Sequence, residues 1–239
     1  MLFLQFFLLV IGFILLIKGA DFFVDGASEI AKAFHIPSVV IGLTIVSMGT
    51  SLPELAVSVT SAVKGVEGIA IGNVVGSNIV NLMLVAGITC IIIPVGVEKT
   101  LISRDLPFSI IAALSVLLLS ADMYFAGMSD RLIGLTIIAF GTSLPELITS
   151  IVAASKGEND IAMGNVVGSN IFNIFFILGI STCIRPLQVE SATFIDIAVL
   201  LFCSLTVLAL SKPKLKLGRI CGVIMVLIYT LYTTYIFIK

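Results

Sequence analysis

The sequence predicts an all-α, polytopic membrane protein built from two copies of one membrane unit. Of its 239 residues, 59% are hydrophobic and 11% are charged, whereas about a quarter of the residues in a typical soluble domain are charged. Apolar runs long enough to cross a bilayer recur along the whole chain. The segment 40–81 is also repeated, with few changes, as segment 132–173.

The repeat is specific enough to establish a duplication. VIGLTIVSMGTSLPEL recurs as LIGLTIIAFGTSLPEL, and IAIGNVVGSNIVN recurs as IAMGNVVGSNIFN. The two segments align without a gap at an offset of 92 residues, and 27 of their 42 positions are identical. Residue n of the first copy therefore corresponds to residue n + 92 of the second copy, as expected for an internal repeat.

Hydropathy predicts eight transmembrane helices. The N-terminal apolar run lacks a cationic start and a small-residue cleavage site, so we interpret it as a first span rather than a signal peptide. An amphipathic tail follows it as far as His35 and is expected at the water interface, with a break at Pro37. The predicted spans are 3–24, 38–62, 69–93, 105–122, 131–154, 161–183, 192–211 and 218–237.

The positions of the two copies predict inverted-topology repeats. The copies begin at the second and fifth spans, three crossings apart, so they enter the membrane in opposite directions, a plan that recurs in secondary transporters. Residues 1–122 form the first repeat, with the stretch 40–81, and residues 123–239 form the second, with the stretch 132–173. Eight Lys and Arg residues in the loops of one side against four on the other place both termini outside.

Each copy carries one carboxylate in the middle of a predicted span. Glu54 and Glu146 are costly there unless they are paired, solvated or bound to a cation. No Lys or Arg lies deep in any span, so a cation from solution is the natural complement. The two carboxylates supply a charge of −2, which balances one Ca²⁺ or two Na⁺.

Oxygen-bearing groups surround each carboxylate. Thr50 precedes Glu54 by four residues and shares its helix face. Pro53 has no N–H, which frees the carbonyl of Gly49, and such carbonyls are tolerated at membrane depth where they line a polar cavity. The second copy repeats these relations with Thr142, Gly141, Pro145 and Glu146.

The following helix of each copy adds a second polar pair. Ser77 and Asn81 are four residues apart, as are Ser169 and Asn173. The expected ligands of both copies are all oxygen atoms, and such a ligand set suits hard cations such as Ca²⁺ and Na⁺ rather than zinc or copper. The other four asparagines of the repeats are expected to form hydrogen bonds between helices. They are Asn73, Asn78, Asn165 and Asn170.

The duplicated GTSLPE and GNxxGSNIxN motifs resemble the alpha-repeats of the calcium/cation antiporter superfamily, in particular the sodium/calcium exchangers and their prokaryotic relatives. The resemblance implies that Glu54 and Glu146 are the central ligands of transported Ca²⁺ and Na⁺. It implies no cofactor, and a location in the plasma (inner) membrane of a prokaryote. The remaining expected ligands are Thr50, Ser51, Ser77, Asn81, Thr142, Ser143, Ser169, Asn173 and the carbonyls of Gly49 and Gly141.

The chain differs from that family in length. Its members usually have ten helices arranged as five plus five, whereas eight are predicted here. The second repeat has no counterpart of the GADFFVDGASEIAKAF stretch that precedes the first copy. About two helices are therefore expected to be missing near residues 123–130.

The leading functional prediction is a secondary antiporter that exchanges Na⁺ for Ca²⁺ by alternating access. A proton/calcium antiporter is the alternative, although those relatives typically carry an acidic residue where this chain has Asn81 and Asn173. A passive cation channel would need a continuous pore. An intramembrane hydrolase would need a His, Cys or Asp near the two glutamates, so we predict no enzyme. The net charge of −1 indicates no nucleic-acid partner. The predicted partners are Ca²⁺, Na⁺ and the lipid bilayer. The sequence identifies no protein partner.

Overall fold

The computed structural model describes residues 2–119, 134–187, 189 and 191–238, and these residues are predominantly helical. The connections are short, and two of them pair as two-residue antiparallel strands, β1 (Val95–Gly96) and β2 (Lys216–Leu217). The helices are α1 (Leu2–Phe34), α2 (Ser38–Thr50), α3 (Leu52–Lys64), α4 (Glu67–Ile92), α5 (101–119), α6 (Gly134–Thr142), α7 (Leu144–Ser155), α8 (Asn159–Ile184), α9 (Ser191–Ser211) and α10 (Arg219–Ile238).

Within the described residues, five helices are long and apolar enough to cross a membrane: α1, α4, α8, α9 and α10. The pairs α2–α3 and α6–α7 raise the number to as many as seven if each pair is one bent span. The predicted span 105–122 corresponds to α5, which is described only up to residue 119. Eight spans therefore remain a prediction, and the expected gap near 123–130 lies outside the described residues.

The predicted spans 38–62 and 131–154 are each two helices rather than one. α2 and α3 meet at 49°, and α6 and α7 meet at 42°. Ser51 ends α2 with φ −85° and ψ 9°, and Pro53 then falls in the first turn of α3, where its missing N–H costs no hydrogen bond. The second copy breaks in the same way at Ser143.

The amphipathic tail of the first span is part of α1. The helix continues without interruption through the acidic residues to Phe34. It is followed by His35, which has a positive φ of 56° and is exposed. Pro37 then precedes α2.

The two copies pack on each other through direct backbone contacts at glycine. A Cβ atom at Gly168 in α8 would lie 2.6 Å from the carbonyl oxygen of Leu43 in α2. A Cβ atom at the corresponding Gly76 in α4 would lie 2.7 Å from the carbonyl oxygen of Leu135 in α6. Each contact becomes the other when the copies are exchanged, which is the pattern that a two-fold relation produces.

The loops fall into two groups according to their contacts. In one group, Lys32 lies 4.0 Å from Glu158, and β1 lies beside Asn159 and pairs with β2. In the other group, Arg185 pairs with Glu67 at 3.0 Å. α4 runs from the second group to the first, whereas α8 runs from the first group to the second.

We predict that Gly168→Ala destabilises the folded protein by about 1–3 kcal/mol, because the new methyl group meets backbone that cannot rotate away. Thermal unfolding in detergent measures the change. Gly12→Ala is the matched control, since a Cβ atom there has no neighbour within 4 Å. Equal melting temperatures for the two variants would contradict the close packing of α2 on α8.

Candidate cation site between the two copies

The two carboxylates lie at the helix breaks, in the first turns of α3 and α7. Glu54 and Glu146 are both fully buried. Ser51 donates a hydrogen bond of 2.8 Å to Glu146 Oε1, and Ser143 donates one of 3.3 Å to Glu54 Oε1. Each carboxylate is thus held by the serine of the opposite copy, which places the site on the interface between the copies.

The two carboxylates have no ion-pair partner among the described residues: no described Lys or Arg forms an ion pair with Glu54 or Glu146. The second oxygen of each carboxylate, Oε2, is buried and has no hydrogen-bond partner among those residues. A buried, unpaired carboxylate charge is strongly unfavourable, so the arrangement favours binding of a cation or a proton.

The two threonines are tied to asparagines of the opposite copy. Thr50 donates to Asn165 Oδ1 at 3.0 Å, and Thr142 donates to Asn73 Oδ1 at 3.2 Å. Asn165 Nδ2 in turn donates to Ser150 Oγ at 3.1 Å. The expected role of Asn73 and Asn165 as interhelical struts is confirmed, and each threonine oxygen retains lone pairs for a ligand.

The second asparagine pair fastens α4 to α8. Asn78 Nδ2 donates to the carbonyl oxygen of Asn170, and Asn170 Nδ2 donates to the carbonyl oxygen of Asn78, both at 3.2 Å. The symmetry fails one turn later. Asn173 Nδ2 donates to Asn78 Oδ1 at 3.0 Å, whereas both side-chain polar atoms of Asn81 are buried without a partner.

The remaining predicted site residues differ in their distance from the carboxylates. Ser169 donates to Glu146 Oε1 at 3.3 Å, and Ser77 lies 3.4 Å from the Thr142 hydroxyl. The two glycines are at the edge of the cluster. Gly49 faces the ring of Phe23, and Gly141 faces open space.

Five buried oxygen atoms of the cluster accept no hydrogen bond from any described residue. Asn170 forms the expected hydrogen bond between helices, and its Oδ1 is also free. No group of three or more His, Cys, Asp or Glu residues capable of holding a metal occurs among the described residues. Two carboxylates with neutral oxygens are ligands that suit a hard cation. The five atoms are Glu54 Oε2, Asn81 Oδ1, Glu146 Oε2, Asn170 Oδ1 and Asn173 Oδ1.

A cavity of about 470 Å³ reaches the cluster from the side of α1. Its walls come from four helices: Phe23 of α1, Thr50 of α2, Leu52 of α3, and Pro145 and Thr149 of α7. Thr50 lines this cavity and also donates to Asn165 Oδ1, so the cavity ends beside the polar cluster. α1 forms one wall of the cavity.

A buried cluster of two carboxylates and neutral oxygens, within a bundle of membrane-type helices, is typical of an integral membrane protein that handles cations. Comparison with known proteins identifies the family. The chain belongs to the sodium/calcium exchanger family, whose model, described as "Sodium/calcium exchanger protein", matches residues 4–127 and 120–238.

Several of the similar proteins are named as exchangers or antiporters. The "Putative antiporter CaxA" of Alkalimonas amylolytica is 34% identical, with 95% of this chain and 97% of that protein covered. The "Sodium/calcium exchanger MaX1" of Methanosarcina acetivorans is 29% identical, with 98% of each covered. A structure of the sodium-calcium exchanger NCX_Mj superposes with a TM-score of 0.87 at 29% identity, covering 98% of this chain and 99% of that one.

The alignment with the Alkalimonas protein is longer than this chain. It extends over 309 positions, 70 more than the 239 residues present here. At least 70 residues of that relative thus have no counterpart in this chain. At about 20 residues per crossing, such a length is enough for two or three membrane helices.

We predict unequal stability effects for two buried asparagines. Asn165→Ala removes the acceptor of Thr50 and the donor to Ser150, and should cost about 1–3 kcal/mol in the absence of Ca²⁺. Asn81→Ala removes no hydrogen bond and should change stability by less than about 1 kcal/mol. Thermal unfolding in Ca²⁺-free detergent solution compares them, and a larger loss for Asn81→Ala would contradict the described network.

Proposed function

We propose that the protein is a secondary antiporter that exchanges Na⁺ for Ca²⁺ at one shared centre formed by Glu54 and Glu146. The observation that carries this proposal is the pair of fully buried carboxylates that have no ion-pair partner among the described residues. The expected ligands Thr50, Ser51 and Ser143, with their counterparts, supply neutral oxygens around that pair. The names of the similar proteins agree with this function.

Charge balance explains why the two ions exchange. A single Ca²⁺ neutralises the two carboxylates, and so do two Na⁺. Both ion types cannot occupy the centre together without accumulating positive charge in a medium of low dielectric constant, where like charges repel strongly. Occupation by one ion therefore expels the other, which is the requirement for antiport at a shared site.

We favour sodium over protons as the counter-ion. The second helix of each repeat carries an amide, Asn81 or Asn173, which does not titrate near neutral pH. Their free carbonyl oxygens, together with the threonine and serine hydroxyls, are ligands that Na⁺ accepts. The MaX1 and NCX_Mj proteins are named as sodium/calcium exchangers.

We further propose that the repeats, residues 1–122 and 123–239, have inverted topology and that eight helices cross the membrane. The opposite directions of α4 and α8 between the two loop groups support this arrangement, as do the reciprocal glycine contacts. The at least 70 residues without a counterpart support the absence of about two helices. An even number of missing crossings preserves the inversion, so the two carboxylates still meet at mid-membrane.

The same arrangement gives a proposed orientation. β1, β2 and the end of α1 belong to the loop group that carries most of the Lys and Arg residues, and the positive-inside rule places that group in the cytoplasm. Both termini are then outside. The proposed location is the plasma (inner) membrane of a prokaryote, in keeping with the bacterial and archaeal relatives.

We predict that Glu54→Gln and Glu146→Gln each reduce Na⁺-driven Ca²⁺ uptake by at least about 100-fold. Each variant removes half of the charge that offsets a divalent ion at the membrane centre. Radiolabelled Ca²⁺ uptake into proteoliposomes with an outward Na⁺ gradient measures the effect. Glu29→Gln, an exposed carboxylate of α1, is the matched control, and wild-type uptake by either site variant would refute the shared centre.

We also predict competition between the ions. Raising Na⁺ at constant ionic strength, with K⁺ as the replacement, should weaken Ca²⁺ binding progressively in the purified protein. Two Na⁺ balance the carboxylates, so a third Na⁺ on neutral oxygens makes the sodium-loaded form positive and the exchange electrogenic. A Ca²⁺ affinity that does not respond to Na⁺ would exclude sodium from the centre, and the same titration against pH would then test protons.

A further inference from the structure

One helix face in the first copy is uncovered, whereas its counterpart in the second copy is packed. Leu52 of α3 is 57% exposed, and Ala56 and Thr60 are exposed as well. These residues are spaced by four, so they form one stripe along the helix. Their counterparts in α7 are all half-buried, and α1 packs on that helix. The counterparts are Leu144, Ile148 and Val152.

The glycines before the two helix breaks show the same difference. A Cβ atom at Gly49 would lie 2.8 Å from the ring of Phe23 in α1, whereas one at Gly141 would have no neighbour within 4 Å. α1 therefore fills one of two positions that the repeat makes equivalent. The position beside α3 and α6 has no helix of the described residues in it.

The charges at the ends of α3 and α7 repeat the contrast. Lys156 forms salt bridges of 2.6 Å with Asp21 and with Asp25 of α1, and these carboxylates raise the pKa of Lys156. Its counterpart Lys64 is exposed and has no ion pair with any described residue. Both stripes thus end in a lysine. The lysine of the covered stripe is paired with two carboxylates of α1, whereas the lysine of the uncovered stripe has no such partner among the described residues.

We propose that the face formed by Leu52, Ala56, Thr60 and Lys64, called here the α3 face, binds one transmembrane helix of a separate polypeptide. This helix has an apolar surface that fits the α3 face and at least one carboxylate where it leaves the membrane beside Lys64. The proposal rests on the inverted arrangement proposed above. In that arrangement the partner restores on the first copy the contacts that α1 makes on the second.

The charge pattern argues against a second copy of this chain as the occupant. With inverted repeats, Lys64 and Lys156 lie at opposite ends of the molecule. A second copy inserted in the same direction presents Asp21 and Asp25 at the Lys156 end, away from Lys64. A lipid phosphate could approach Lys64, but acyl chains provide no side chain to reproduce the packing of Phe23 on Gly49.

A synthetic peptide with the sequence of residues 5–34 serves as the probe, because detergent micelles allow it to bind in either direction. A benzophenone is attached to a cysteine introduced by Ala56→Cys, in a background with Cys183→Ser and Cys221→Ser. Two control variants carry the benzophenone elsewhere. Cross-linking of the peptide at Ile148→Cys would mean that the peptide displaces the chain's own α1, and cross-linking at Val223→Cys, on the exposed surface of α10, measures non-specific contact. We expect saturable cross-linking of one peptide per chain at position 56 alone.

Variants test the two features of the α3 face separately. Lys64→Gln, or a peptide with Asp21→Asn and Asp25→Asn, should weaken the apparent affinity about threefold, as expected for an interfacial ion pair. Ala56→Phe, with the benzophenone moved to Thr60→Cys, should weaken it at least about tenfold by obstructing the stripe. Ca²⁺ binding measured by calorimetry should be equal in the variants and the unsubstituted protein. Absence of Ca²⁺ binding in the unsubstituted protein would refute the proposed function, whereas saturable cross-linking at position 56 would still support the docking face.

Three outcomes would overturn the proposal. Cross-linking that does not saturate at position 56, or equals that at position 223, would mean that lipid covers the α3 face. Cross-links between two copies through position 56 in the absence of peptide would identify a second copy as the occupant. Binding that is indifferent to both Lys64→Gln and Ala56→Phe would place the peptide elsewhere.

Discussion

The rest of the structure depends on one electrostatic constraint, a charge of up to −2 buried between two copies of the same motif. Glu54 and Glu146 are fully buried, and each receives a hydrogen bond from the serine of the opposite copy. These bonds orient the carboxylates but do not neutralise them. In the proposed function a cation or a proton from solution neutralises them, so the stability of the centre and its occupancy are linked.

The backbone around the centre is arranged to bring oxygen atoms to that charge. Each copy breaks its first helix at a serine and places a proline in the first turn of the next helix. Glycines then allow α2 to contact α8, and α6 to contact α4, at backbone distance. Wider π-helical turns, Val80–Val85 in α4 and Asn173–Leu178 in α8, contain Asn81 and Asn173, and such turns often occur at functional positions.

Much of the centre could be predicted because the duplication marks it twice. The repeated motif identified Glu54 and Glu146, and helix spacing connected them with Thr50 and Thr142. Sequence reasoning left open whether the amphipathic tail is continuous with the first span, since an amphipathic pattern does not reveal whether a helix is interrupted. It also missed the free oxygen of Asn170 and the unpartnered amide of Asn81, because these depend on small departures from symmetry in three dimensions.

The reciprocal bonding between the copies also has an evolutionary consequence. The serine of one copy bonds to the glutamate of the other, so a substitution in either copy alters the surroundings of both. Two gene segments that have duplicated are normally free to diverge, yet here they agree at every position of 49–55 and 72–79. These are the segments that meet across the interface. Mutual contact thus limits the sequence divergence of the two copies. A substitution in one of these segments is expected to be accompanied by a compensating substitution in the other copy.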